Sequence, residues 1–152
     1  MESERRTDLL SAARRAAEAA YVPYSHFPVG AAVLTADGSV FTGCNIENAS
    51  YGLTICAERS AVSAAVSAGH RQIDTVAVAA PKAAGATPCG ACRQVLNEFR
   101  PASGDMLVLL DDGGSGIALG LDDLLPHAFG PRNLERVEDN DRAFRSGETH
   151  AG

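Results

Sequence analysis

Lysine is almost missing from this chain, occurring once in 152 residues, at Lys82. Acidic residues outnumber basic ones 19 to 13, for a net charge of -6 and an isoelectric point near 5.1. The arginines are scattered from Arg5 to Arg145, with no basic stripe and no interleaved aromatics. Phosphate contacts need clustered Lys and Arg, so a nucleic-acid partner is disfavoured. Long apolar runs are absent too. The N-terminus, M-E-S-E-R-R-T-D, is mixed in charge and leads into an alanine-rich stretch broken by Arg14, Arg15 and Glu18. That stretch supplies neither a signal-peptide core nor a membrane span, and the expected location is the cytoplasm. The four histidines, His26, His70, His127 and His150, fall outside every metal-ligand spacing, and most are expected in solvent.

What is present suits one compact domain, with 45% hydrophobic and 21% charged residues. Leu9, Leu10, Ala13, Ala16, Ala17 and Ala20 recur at helical spacing, which predicts an amphipathic helix over Thr7 to Ala20 with Thr7 as N-cap. Two prolines mark Tyr21 to Pro28 as an ordered loop. Val29 to Thr35 and Val40 to Ile46 flank A-D-G-S, a hairpin signal. A helix from Cys56 to Ala68 ends at Gly69, and Ile73 to Ala80 reads as a buried strand. Gly90 to Phe99 forms the next helix, between Pro88 and Pro101. Met106 to Leu110, a short strand around Ile117 and a brief helix over Asp122 to Leu125 follow. Alternating strands and helices give an α/β sandwich with a mixed sheet. Beyond Leu134 the chain is polar with few apolar anchors, so residues 1–134 are expected to form the domain and 135–152 a mobile tail.

The chemistry concentrates in two runs, T-I-C-A-E-R from Thr54 to Arg59 and T-P-C-G-A-C-R-Q from Thr87 to Gln94. They supply three thiols, Cys56, Cys89 and Cys92, and one carboxylate, Glu58. At a helix start C-x-x-C puts two thiols on one face, able to share a metal. A structural zinc site closes with four protein ligands, whereas a catalytic one holds three and leaves a position for water. A closed four-cysteine site including Cys44 is the alternative, weakened by the spare Glu58. Asn45 and Glu47, two apart on a predicted strand, share a face and offer a donor and acceptors suited to sugar hydroxyls. Arg59 is close enough in sequence to donate to a cysteine sulfur. It would thereby draw charge from an electron-rich three-thiolate centre.

Three motifs in order, N-I-E-N-A-S-Y (Asn45 to Tyr51), T-I-C-A-E-R-S-A and T-P-C-G-A-C-R-Q-V-L, resemble those of the small cytidine deaminases, and the likeness runs from Tyr21 to about Leu134. It includes the zinc-deaminase signature of a ligand two residues before a Glu, followed by P-C-x-x-C. The resemblance implies a three-layer α/β/α sandwich with a five-stranded mixed sheet. It also implies one zinc per subunit on Cys56, Cys89 and Cys92, with Glu58 as catalytic proton shuttle. The implied reaction is hydrolytic deamination of cytidine and deoxycytidine to uridine and deoxyuridine, a pyrimidine-salvage step that releases ammonia. Phe27, Asn45, Glu47 and Ala57 would bind the nucleoside, with Phe27 packing on the ring. Tyr51 and Phe129 would help complete a neighbouring subunit's site in a homotetramer. A deaminase of the blasticidin type and a purely structural zinc module are the competing readings.

Overall fold

The computed structural model describes residues 1–134; the tail expected over 135–152 lies outside the described residues. Helix α1 (Ser3–Ala17) is followed by strands β1 (Gly30–Thr35) and β2 (Val40–Cys44), helix α2 (Ala57–Ser67) and strand β3 (Ile73–Ala79). Helix α3 (Gly90–Glu98), strands β4 (Leu107–Leu110) and β5 (Ile117–Gly120) and the short helix α4 (Leu121–Leu124) complete the order. The five strands lie in the order β2-β1-β3-β4-β5. Only β3 and β4 run parallel, and the other neighbours are antiparallel.

Alternation along the strands divides the core between two layers of helices. Ala31 and Val33 of β1, Val76 and Val78 of β3, and Val108 and Leu110 of β4 pack with Ala57, Ala61, Val62 and Ala65 of α2 and Leu96 of α3. The intervening residues Ala32, Leu34, Ala77, Ala79 and Leu109 meet Leu9, Leu10 and Ala13 of α1. Successive strand side chains point to opposite faces, so one sheet buries both layers. Two glycines allow the helices to come close. A Cβ at Gly30 would overlap the Ala13 carbonyl and Ala17 amide of α1, and one at Gly43 would overlap the first turns of α2.

Most expected elements appear within a residue or so of their predicted ends, but α1 starts at Ser3 rather than Thr7. Glu2 occupies its N-cap position, and the Thr7 hydroxyl donates 3.1 Å back to the Ser3 carbonyl from inside the helix. The first turn is charged and exposed, so apolar periodicity marks only where the helix meets the sheet. The helix also stops at Ala17, where Glu18, Ala19 and Ala20 tighten into bonds to carbonyls three residues back. His70 is half-buried: its ring meets that of Phe41 in a tilted contact at a centroid distance of 5.0 Å, with Nδ1 3.5 Å from an Asp37 carboxylate oxygen. Among the described residues no helix is long and apolar enough to cross a membrane.

The register fixes where loops can converge. Gly30, which opens β1, pairs with Cys44 at the end of β2 and with Ala79 at the end of β3. Four connections therefore lie at one end of the sheet: 18–29 before β1, 45–56 after β2, 80–89 after β3 and 111–116 between β4 and β5.

Candidate active site

Both sequence runs that carry the thiols sit at helix starts on that end of the sheet. Cys56 is the N-cap residue of α2 and Cys89 that of α3, each with extended backbone, and Cys92 lies within the first turn of α3. The three sulfurs lie within 4.8 Å of one another, and those of Cys56 and Cys89 are 3.9 Å apart. A tetrahedral zinc with Zn–S bonds of about 2.3 Å requires sulfurs about 3.8 Å apart, so this donor set fits the ion. Cys44, at the end of β2, is not a member of the group. The four-cysteine site is thereby removed.

Glu58 begins the next step of α2 and is buried, at 5% exposure, with its Oε2 accepting a 3.5 Å bond from the Cys92 thiol. Burial pushes its carboxyl above the ordinary range, and negative charge on Cys56 adds to the effect. Cys56 is driven the other way, down to about 5, by the hydrogen bond from Cys92 and then by Arg59. Cys92 is pushed up by the same bond to Cys56 and by burial. Nη2 of Arg59 lies 3.6 Å from the Cys56 sulfur and 3.2 Å from the Thr54 carbonyl, tying the guanidinium to the ligand and to the chain just before it.

Asn45 and Glu47 do not lie on β2, as their spacing predicted. The strand ends at Cys44, and the following residues are held by a bond from the Asn45 amide to the Val29 carbonyl and by single bridges from Ile46 to Tyr21 and to Ile55. Their side chains nevertheless work as a pair, on the loop before β1. Asn45 accepts from the Val29 amide at 2.9 Å and donates to the Phe27 carbonyl at 2.8 Å. Glu47 Oε1 accepts from the amides of Tyr24 and Ser25, at 3.0 and 3.1 Å. The Ser25 side chain, and after it these two amides, hold its carboxyl below the ordinary range. Phe27 is carried on this clamped loop beside His26, whose φ of 54° is left-handed, and Lys82 donates to the His26 carbonyl.

The other expected site residues divide. Ala57 is fully buried and its methyl belongs to the core, leaving only its backbone available to a ligand. Tyr51 and Phe129 stand in solvent, at 73% and 61% exposure. Tyr51 meets Tyr24 edge-on with centroids 5.5 Å apart, and the Phe129 carbonyl accepts bonds from Gln94 and Asn97 of α3. Thr54, Lys82, Gln94 and Asn97 escaped the sequence reading. Each acts on or through a backbone carbonyl remote along the chain or outside regular structure, and residue type does not signal such a bond.

With this geometry in hand, comparison with known proteins is decisive. Residues 3–106 match the family model described as the cytidine and deoxycytidylate deaminase zinc-binding region. The chain belongs to that family. A cytidine deaminase of Halalkalibacterium halodurans is 52% identical over 122 residues, covering 80% of this chain and 91% of the relative. One from Sporosarcina psychrophila is 47% identical over 127 residues, covering 83% and 92%. Among solved structures, the cytidine deaminase from Burkholderia pseudomallei superposes with a TM-score of 0.74 at 47% identity, over 81% of this chain and 98% of that one. The family's zinc-binding region takes in all three thiols of the cluster, and zinc is the metal of this centre.

Proposed function

We propose that this chain converts cytidine and deoxycytidine to their uracil counterparts by zinc-dependent hydrolysis, with Cys56, Cys89 and Cys92 as the metal ligands and Glu58 as the proton shuttle. The observation that carries this reading is a buried carboxylate touching a cluster of three thiols, with no fourth cysteine in the group. Bound zinc lowers the pKa of its water to about 7 and so makes a nucleophile available at neutral pH. Glu58 takes a proton from the attacking water and passes it to ring N3 of the pyrimidine as the bond to C4 forms. It then takes the proton of the new C4 hydroxyl and delivers it to the 4-amino group, which departs as ammonia as the C4–N bond breaks and the C4 carbonyl forms. A buried carboxyl with a raised pKa suits a group that must both accept and return a proton. Arg59 holds Cys56 and withdraws charge from the thiolates. Phe27 packs on the base, with Asn45 and Glu47 holding its loop and facing the sugar; the second oxygen of Glu47 and the remaining amide hydrogen of Asn45 suit ribose hydroxyls.

The same reading extends to assembly and location. Tyr21, Tyr24, Ile46, Tyr51, Leu53 and Ile55 are all exposed and come from segments beside the site. A band of this kind suits burial against further copies of the chain, and the arrangement we propose is a homotetramer in which Tyr51 and Phe129 complete a neighbouring site. Four free thiols, three of them committed to metal, suit the reducing cytoplasm. Residues 1–134 form the catalytic domain, and cutting the chain after Leu134 leaves activity nearly intact. The test is the absorbance change on cytidine and deoxycytidine, with ammonia release and zinc content measured on the same sample. No turnover of either nucleoside at full zinc loading refutes the reading. Light scattering decides the assembly.

A further inference from the structure

The three cysteines are not held equally. Cys92 is fully buried inside α3, and Cys56 is fixed by the bridge of Ile55 to Ile46 and by Arg59. Cys89 is the exposed member, at the end of a connection that leaves β3 through irregular chain. Lys82 and Gly85 tie the first part of that connection to the His26 and Asp111 carbonyls, and Arg93 holds the last part, next to Cys89. Arg93 Nε donates to the Pro88 carbonyl at 2.8 Å, Nη2 to the Thr87 hydroxyl at 3.3 Å, and Nη1 to the Leu124 carbonyl at the end of α4, at 2.8 Å. Pro88 has no N–H, so its carbonyl is the only backbone polar group by which that residue can be held. A planar fork with five N–H groups serves three acceptors in separate directions. A lysine ammonium on its flexible stem does not reproduce that geometry.

The same device recurs at the other helix. Arg59 donates to the carbonyl of Thr54, five residues back, and Arg93 to that of Pro88, also five residues back. In both cases an arginine in the first turns of a helix reaches over its N-cap cysteine to the chain that precedes it. Of the two, Arg59 also contacts a sulfur, whereas the three bonds of Arg93 go to two carbonyls and a hydroxyl, so Arg93 acts on backbone position rather than on thiolate charge.

We propose that Arg93 is a positioning residue for the metal centre, locking the Thr87–Pro88 turn and α4 onto α3 so that Cys89 is presented to zinc already in place. This rests on the zinc reading above. Its consequence is an affinity and a residence time: without the lock, Cys89 must be ordered each time the ion binds. Loss of groups that orient a metal ligand typically weakens binding by about 10- to 100-fold.

The test is zinc release from the intact protein to a chromogenic chelator, with competition titration of zinc affinity and thermal unfolding of the metal-free chain alongside. Arg93→Lys is expected to bind zinc about 10- to 100-fold more weakly, while turnover under saturating zinc stays within a few-fold of the parent. Thr87→Val removes one arm with little change in volume, and should speed release about threefold without perturbing the fold. If Arg93→Lys fails to fold, Thr87→Val decides, and unchanged release from it overturns the proposal. Equal zinc affinity in Arg93→Lys and parent, with a lowered melting temperature in both metal-free and zinc-loaded forms, assigns Arg93 to general stability and also overturns it. A parent chain that takes up no zinc overturns the metal reading itself, and Arg93 with it.

Discussion

Arg14 of α1 and Asp111, just beyond β4, are joined by two parallel bonds, from Nε at 2.8 Å and from Nη2 at 2.5 Å. The pair ties the helix covering one face of the sheet to the end of a central strand, 97 residues away in sequence. The Arg14 bond holds the Asp111 carboxyl below its ordinary range. A depressed carboxyl contributes stability above its unfolded pKa and loses it as pH falls through the folded value. Asp111→Asn should therefore melt lower than the parent at pH 7, by about 1 kcal/mol or roughly 2–4 °C, given that Arg14 is partly exposed. The gap should close in strong acid. A gap that persists unchanged as pH falls through the carboxylate range would mean the charge contributes nothing.

Glu58→Gln keeps the volume of the side chain and removes its ability to carry a proton. It should fold and retain zinc while losing about 10²- to 10⁴-fold in turnover. Metal analysis beside steady-state kinetics checks it. Loss of zinc in this variant would instead make Glu58 a ligand.

Cys56→Ala, Cys89→Ala and Cys92→Ala should each lose zinc and activity, while Cys44→Ala keeps both. The difference follows from the sulfur positions, since Cys44 stands outside the group of three. Elemental analysis of the four purified variants settles the assignment, and zinc loss from Cys44→Ala would reopen the four-ligand site.

Asn45→Ala removes the two side-chain bonds from Asn45 to the Phe27 and Val29 backbone. The expected result is a 10- to 100-fold fall in kcat/KM, on the order of the 1–3 kcal/mol that two hydrogen bonds, one partly buried and one exposed, can represent when both are lost. The fall should lie mainly in KM, with zinc content unchanged. Phe27→Ala should act in the same direction, and unaltered kinetics in both would leave this loop without a part in binding.

Arg59→Gln should lower kcat, because the thiolate cluster then lacks the cation 3.6 Å from Cys56. Replacing Cys56 by His in the same protein removes one negative charge and should restore part of the loss. Wild-type kcat in Arg59→Gln would show that the cation has no electrostatic effect on the reaction.

Chemistry and secondary structure were legible in the residues themselves, because both are local. Cys56, Glu58, Cys89 and Cys92 announce a metal by type and spacing, and strand alternation and helical period placed most elements to within a residue or two. Two local readings failed for local reasons: α1 extends into a charged turn that no apolar period marks, and β2 stops where Ile46 turns to single partners. The motifs already set Cys44 apart from the other three cysteines, but tertiary structure decided how thiols 33 residues apart meet, through the pairing of Gly30 with Cys44 and Ala79. It also decided that Asn45 and Glu47 brace a loop and that Arg93 spans Pro88 and Leu124. Those bonds end on backbone carbonyls and amides, which every residue possesses, so the sequence carries no mark of where they will fall.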